Sequence, residues 1–113
     1  MPRHDSSVRL RHMLDHAREA IEMCRNRSRE DLYQDRQFNL ALVRLLEIIG
    51  EAANRVPPQE RILYAGIPWE EIVSLRNRLI HGYDTVDFDI LWEIATDDLP
   101  SLVAILEKSI PPG

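Results

Sequence analysis

The chain has 113 residues, of which 44% are hydrophobic and 29% charged, with one cysteine and a formal net charge of −5. These values bound it to one modest globular domain of the water-soluble class. No apolar run approaches the roughly 20 residues a membrane span needs, and the lone Cys24 excludes an intramolecular disulfide and a cysteine-based zinc cage.

The first predicted helix runs from about Asp5 to Arg27. Leu10, Met13, Leu14, Ala17, Ala20, Ile21 and Cys24 recur there at three- and four-residue steps, which gives one apolar stripe. The segment before it, "MPRHDSSVRLRH", places charges where a secretory leader would be apolar, so a cytoplasmic location is expected. His12 and His16 lie four apart, a spacing open to a metal, but without a third ligand they read as a surface helix face.

"SRED" at 28–31 reads as the next helix start, with Ser28 and Asp31 in a capping-box-like pair. That helix is expected to continue unbroken to about Arg55. Phe38, Leu42, Leu45, Ile49, Ala52 and Ala53 form its main stripe, widened by Leu46, Ile48 and Val56, as suits a central helix. Gly50 inside it costs on the order of 1 kcal/mol against alanine, which a close crossing by another helix would compensate. Glu47 and Glu51, one turn apart, are either solvated carboxylates or partners for an arginine, with Glu51 the stronger candidate.

"VPPQE" ends the central helix, and "RILYAG" allows a short helical turn. A third helix is predicted from about Trp69 to His81, with Pro68 at its first position and Gly82 as its stop. Trp69 and Trp92 have core spacing. A last segment, "DFDILWEIATDDLPSLVAILEKSI", should be broken or kinked into two short helices by Pro100. The fold class is all-α: a single-domain bundle of four to five antiparallel helices over residues 1–113.

Charge along this layout is uneven. Residues 1–83 hold thirteen arginines against twelve acids, and residues 84–113 one lysine against seven. No dense basic run implies nucleic-acid binding by charge alone. Arg25, Arg27 and Arg29 are either a solvated helix end or a guide for a polyanion.

The residues that carry chemistry cluster in "SLRNRLIHGYDT", residues 74–85. On a continuous helix Ser74, Asn77, Arg78 and His81 share a side, while Arg76 and His81 are about 140° apart at 3.6 residues per turn. They converge only if the last turn loosens or if two chains share one site. An imidazole exchanges protons near neutrality. A guanidinium grips a phosphate in two places and stabilises charge developing on it. Asn77 and Tyr83 can position a hydroxyl. Such a set suits RNA phosphodiester cleavage without a metal. On spacing alone it suits a plain helix end better, with His81 on the dipole, arginines on carbonyls and Tyr83 packed on the bundle.

"RNRLIHGY" resembles the Arg-x4-His-x-Tyr signature of the HepT-like branch of the HEPN family, through Arg76, His81 and Tyr83, with Asn77 as its polar residue after the arginine. "LLEIIGEAANRVP", "IPWEEIVSLRNRLIHGY" and "ILWEIATDDLPSL" resemble three of its blocks, in order. The resemblance implies a homodimer that dimerises through the motif-bearing helices, with Arg76 and His81 in a cleft at the two-fold axis. It implies metal-independent endoribonuclease activity on RNA with no cofactor, and the toxin role in a type VII-like toxin–antitoxin system. The antitoxin would be a cognate minimal nucleotidyltransferase that silences the toxin by AMPylation of Tyr83. Glu51 and Asn77 are the supporting residues expected around Arg76 and His81. The alternative is a non-catalytic helical subunit that binds a nucleotide or the nucleotidyltransferase. A plain dimerisation module is the weakest reading.

Overall fold

Two long helices carry the core. A computed structural model describes residues 6–81 and 85–110. α1 (Ser6–Cys24) buries Leu10, Met13, Leu14, Ala17, Ala20 and Cys24 of the predicted stripe against α3 and α8, while Ile21 is only half-buried. Burial in this apolar setting pushes the Cys24 thiol up to about 11, which keeps it protonated and unreactive at neutral pH.

The central helix is two helices. α2 (Glu30–Gln34) stops at Asp35, and α3 (Arg36–Asn54) begins immediately after it. Asp35 is extended (φ −120°, ψ 99°), and its carboxylate accepts from the Phe38 amide at 3.1 Å. A short acidic side chain that bonds the amide three residues on offers the backbone an alternative to continuing the helix. Neighbours hold the break. The buried Asn39 amide donates to the Leu32 carbonyl at 2.9 Å. Arg27 reaches Asp35 at 3.1 Å, and its guanidinium carbon stands 4.4 Å from the Phe38 ring centroid. At 28–31 half of the expected capping box forms: the Ser28 amide donates to Asp31.

α3 buries Phe38, Leu42, Leu45, Leu46, Ile49, Gly50 and Ala53, while Ile48 and Ala52 are only half-buried. After α4 (Pro58–Arg61) and a 3-10 turn at Ile62–Tyr64, the chain enters α5 (Trp69–Val73), with Pro68 at the cap rather than inside the helix. Trp69 is core, and its indole nitrogen donates to the Tyr64 carbonyl at 3.1 Å.

The predicted third helix does not reach His81. It breaks at Ser74 (φ −91°, ψ 9°), resumes as α6 (Leu75–Leu79), and turns extended at Ile80 (φ −104°, ψ 120°). Ile80–His81 forms β1, antiparallel to β2 (Thr85–Val86), in the register Ile80 with Val86 and His81 with Thr85. Ile80 is β-branched, and a nearby return strand offers its backbone new partners, so local helix propensity is overridden. Gly82, the predicted stop, and Tyr83 lie outside the described residues.

The predicted break at Pro100 is also replaced. α7 (Phe88–Glu93) runs through a π turn (Ile94–Asp98) into α8 (Leu99–Ser109). The wider turn puts Pro100 in the first turn of α8, where a missing N–H costs nothing. Leu91, Ile94 and Ala95 are buried, and Trp92 is half-buried.

Candidate functional site

The site begins at Gly50. A Cβ there would sit 3.1 Å from the Ile72 carbonyl oxygen, so glycine lets α5 cross α3 closely, the compensation expected from its position in the sequence. That crossing brings α6 alongside the outer face of α3. A cleft of about 320 Å³ runs between them, lined by Arg44, Glu47, Gly50, Glu51, Asn54, Val73 and Arg76.

Arg76 is exposed, and its Nε donates to Glu47 Oε2 at 3.4 Å. The same carboxylate lies 3.7 Å from Arg44. Glu51, expected on Arg76, lines the cleft but pairs with Arg55 at 3.3 Å, so the carboxylate on the guanidinium is Glu47. The reason is geometric. Arg76 lies over the turn of α3 preceding Gly50, and Glu51 leans toward the helix end. The bidentate fork of Arg76 is only partly used by this contact, which leaves donors facing the cleft.

His81 stands on β1, past the end of α6, and is exposed. Its Nε2 is 3.6 Å from Asp87 Oδ2. Asp87 performs two jobs at once. Its other oxygen accepts from the Ile90 amide at 3.1 Å and caps α7, while its own amide donates to the Leu79 carbonyl at 2.9 Å. The cap therefore fixes the carboxylate that faces the imidazole. Nothing in the sequence motif points to Asp87. The available signal is an Asp before "FDILWE", a helix-cap pattern six residues after the histidine.

Asn77 is exposed next to Arg76 on α6. Arg78 turns away to Asp98 at 3.4 Å, at the mouth of an apolar cleft between α5, α6 and α8. Arg76 and His81 thus engage different carboxylates, and both side chains face solvent rather than a dry interior. His81 is not among the residues lining the Arg76 cleft.

Arg25, Arg27 and Arg29 pair with Glu22, Asp35 and Asp89 at 3.2, 3.1 and 3.2 Å. His16 Nδ1 lies 2.7 Å from the His12 carbonyl oxygen. Among the described residues no three His, Cys, Asp or Glu side chains cluster as metal ligands, and no helix is long and apolar enough to cross a membrane.

The family model described as "Ribonuclease HepT-like" matches residues 13–109. "Probable ribonuclease HepT" of Thermococcus cleftensis is 39% identical over 84% of this chain and 90% of its own length. "Putative RNase MJ1216" of Methanocaldococcus jannaschii is 34% identical over 97% of this chain and 91% of its own. "Putative RNase TTE0752" of Caldanaerobacter subterraneus is 39% identical over 82% and 83%. No solved structure matches the chain.

Proposed function

Because the chain belongs to the ribonuclease HepT-like family, we propose that it is a metal-independent endoribonuclease that uses Arg76 and His81 on an RNA phosphodiester. The observation that carries the proposal is the cleft-facing Arg76, steadied by Glu47, five residues before an exposed His81 set against Asp87. In the reaction the ribose 2′-OH gives its proton to an imidazole, and the freed oxygen attacks phosphorus. The P–O5′ bond breaks, the departing oxygen takes up a proton, and a 2′,3′-cyclic phosphate and a 5′-hydroxyl result. Arg76 stabilises the extra charge on the non-bridging oxygens, and Asn77 helps position the strand.

In an in-line displacement the 2′-oxygen and the 5′-oxygen stand on opposite sides of phosphorus, so one imidazole does not serve both in the same step. Two copies of the chain would supply two, one as base and one as acid, which favours a homodimeric site. Pairing across copies also removes the need for Arg76 and His81 of one chain to meet.

Purified protein should cleave RNA in EDTA, and His81→Ala should lose roughly 10²- to 10⁴-fold in rate, the usual worth of positioned proton transfer. Full cleavage by His81→Ala would end this mechanism. RNA left intact by the wild type, alongside tight nucleotide binding, would favour the non-catalytic subunit.

The same proposal places residues 1–113 as one HepT-like domain acting as a cytoplasmic toxin, silenced by a cognate nucleotidyltransferase that AMPylates Tyr83. Nucleotide phosphates added two residues from His81 would obstruct the site and neutralise its cation. Intact mass of protein co-produced with that partner should show AMP increments. Increments that persist in Tyr83→Phe would assign the modification elsewhere.

A further inference from the structure

The arginines that the sequence scatters are gathered by the fold. A second cleft, of about 330 Å³, lies between α1 and α3 and is lined by Arg9, His12, Arg44, Ile48, Glu51, Ala52 and Arg55. It shares Arg44 and Glu51 with the cleft that holds Arg76. Across the two, four guanidiniums face two carboxylates, on a molecule whose net charge is −5.

The surplus is reachable. Arg44, Arg55 and Arg76 have side chains 68%, 64% and 64% exposed. The half-buried Ile48 and Ala52 give the second cleft an apolar floor between its charges. Arg44 and Arg55 are separated by about 16 Å along the axis, at a rise of about 1.5 Å per residue, enough to meet phosphates two or three nucleotides apart on one strand. The acids of the last third point the same way: Glu93 and Asp97 are exposed on α7 and the π turn, while Asp98 and Glu107 are paired with Arg78 and Arg18. A polyanion is repelled there and admitted at the α1–α3 face.

Resting on the ribonuclease reading above, we propose that the α1–α3 cleft is a binding subsite for the RNA strand, in which Arg9, Arg44 and Arg55 hold phosphates flanking the linkage presented to Arg76. Charge contacts of this kind are sequence-independent and release counterions on binding.

The test uses full-length protein carrying His81→Ala, to prevent turnover, and a fluorescein-labelled single-stranded oligoribonucleotide. Anisotropy is followed as salt is raised. Arg9→Gln with Arg55→Gln should weaken binding at low salt and flatten the log–log salt slope by about 1.4, at about 0.7 per lost phosphate contact. Arg9→Lys with Arg55→Lys should keep the slope, which separates charge from misfolding. Arg18→Gln with Lys108→Gln, neither of which lines the cleft, should change nothing. Unaltered affinity and slope in the glutamine pair, or no RNA binding by the parent, overturns the proposal. If the wild type binds with this charge dependence yet cleaves no RNA, the subsite stands and the ribonuclease reading falls. If it cleaves while the glutamine pair binds as before, the subsite alone falls.

Discussion

The two halves of the Arg-x4-His motif sit in different kinds of structure. Arg76 belongs to the packed crossing of α3 with α5 and α6, where a missing Cβ at Gly50 sets the spacing and Glu47 holds the guanidinium. His81 belongs to a two-residue strand, held by the pairing of Ile80 with Val86 and by the Asp87 cap. One half depends on side-chain packing and the other on a few backbone hydrogen bonds. The difference teaches that the motif spans a helix-to-strand boundary. Its spacing therefore does not translate into an angle around one helix.

After the loss of His81, removing the function of the packed half should have the largest effect. Arg76→Ala should lower cleavage by about 10²- to 10³-fold, as loss of one preorganised charge stabiliser does. Arg76→Lys should recover only part, since an ammonium lacks the planar fork. Equal rates for the lysine and wild-type proteins would show that charge alone suffices.

Gly50→Val attacks the same half from below. Its Cβ would press on the Ile72 carbonyl oxygen, and overpacking of this sort costs about 1–3 kcal/mol. Urea unfolding should show the loss, with cleavage falling as α6 is displaced. A stability matching wild type would mean the crossing yields without cost.

On the open half, Asp87→Asn and Asp87→Ala separate two roles. Asparagine caps as well as aspartate, so stability should hold while cleavage drops. Alanine should also lose about 0.5–2 kcal/mol from the cap. If both variants cleave like wild type, Asp87 serves the fold alone.

The smallest effect lies away from the site. The Phe38 amide and then Arg27 hold the Asp35 carboxyl below its ordinary range. A depressed folded value means its contribution is present above the unfolded value and fades as pH falls through the folded one. Asp35→Ala should thus lower the urea midpoint at pH 7, with the gap to wild type closing in acid below about pH 4, near the usual aspartate value. A gap constant with pH would place the stabilisation elsewhere.

Much of the fold is legible locally. The α1 stripe, the core face of α3 and the close crossing at Gly50 follow from periodicity and from one misplaced glycine. The misses share a cause. Asp35, Ser74, Ile80 and the π turn before Pro100 are places where a side chain or a distant strand competes with the helical ladder for backbone partners. In the site, Arg76 and His81 are visible as residue types at a spacing, whereas Glu47 and Asp87 are not. A carboxylate becomes a partner only once another element has been laid against it.

The amino-acid order alone determined a helical chain, its apolar faces and the motif that marks its family, because these depend on intervals between near neighbours. Tertiary structure alone decided which carboxylate meets each motif residue, that His81 leaves the helix, and that Arg9, Arg44, Arg55 and Arg76 line adjoining clefts. Those outcomes depend on distances across the fold, and charge scattered along the chain becomes a local field only when packing brings it together.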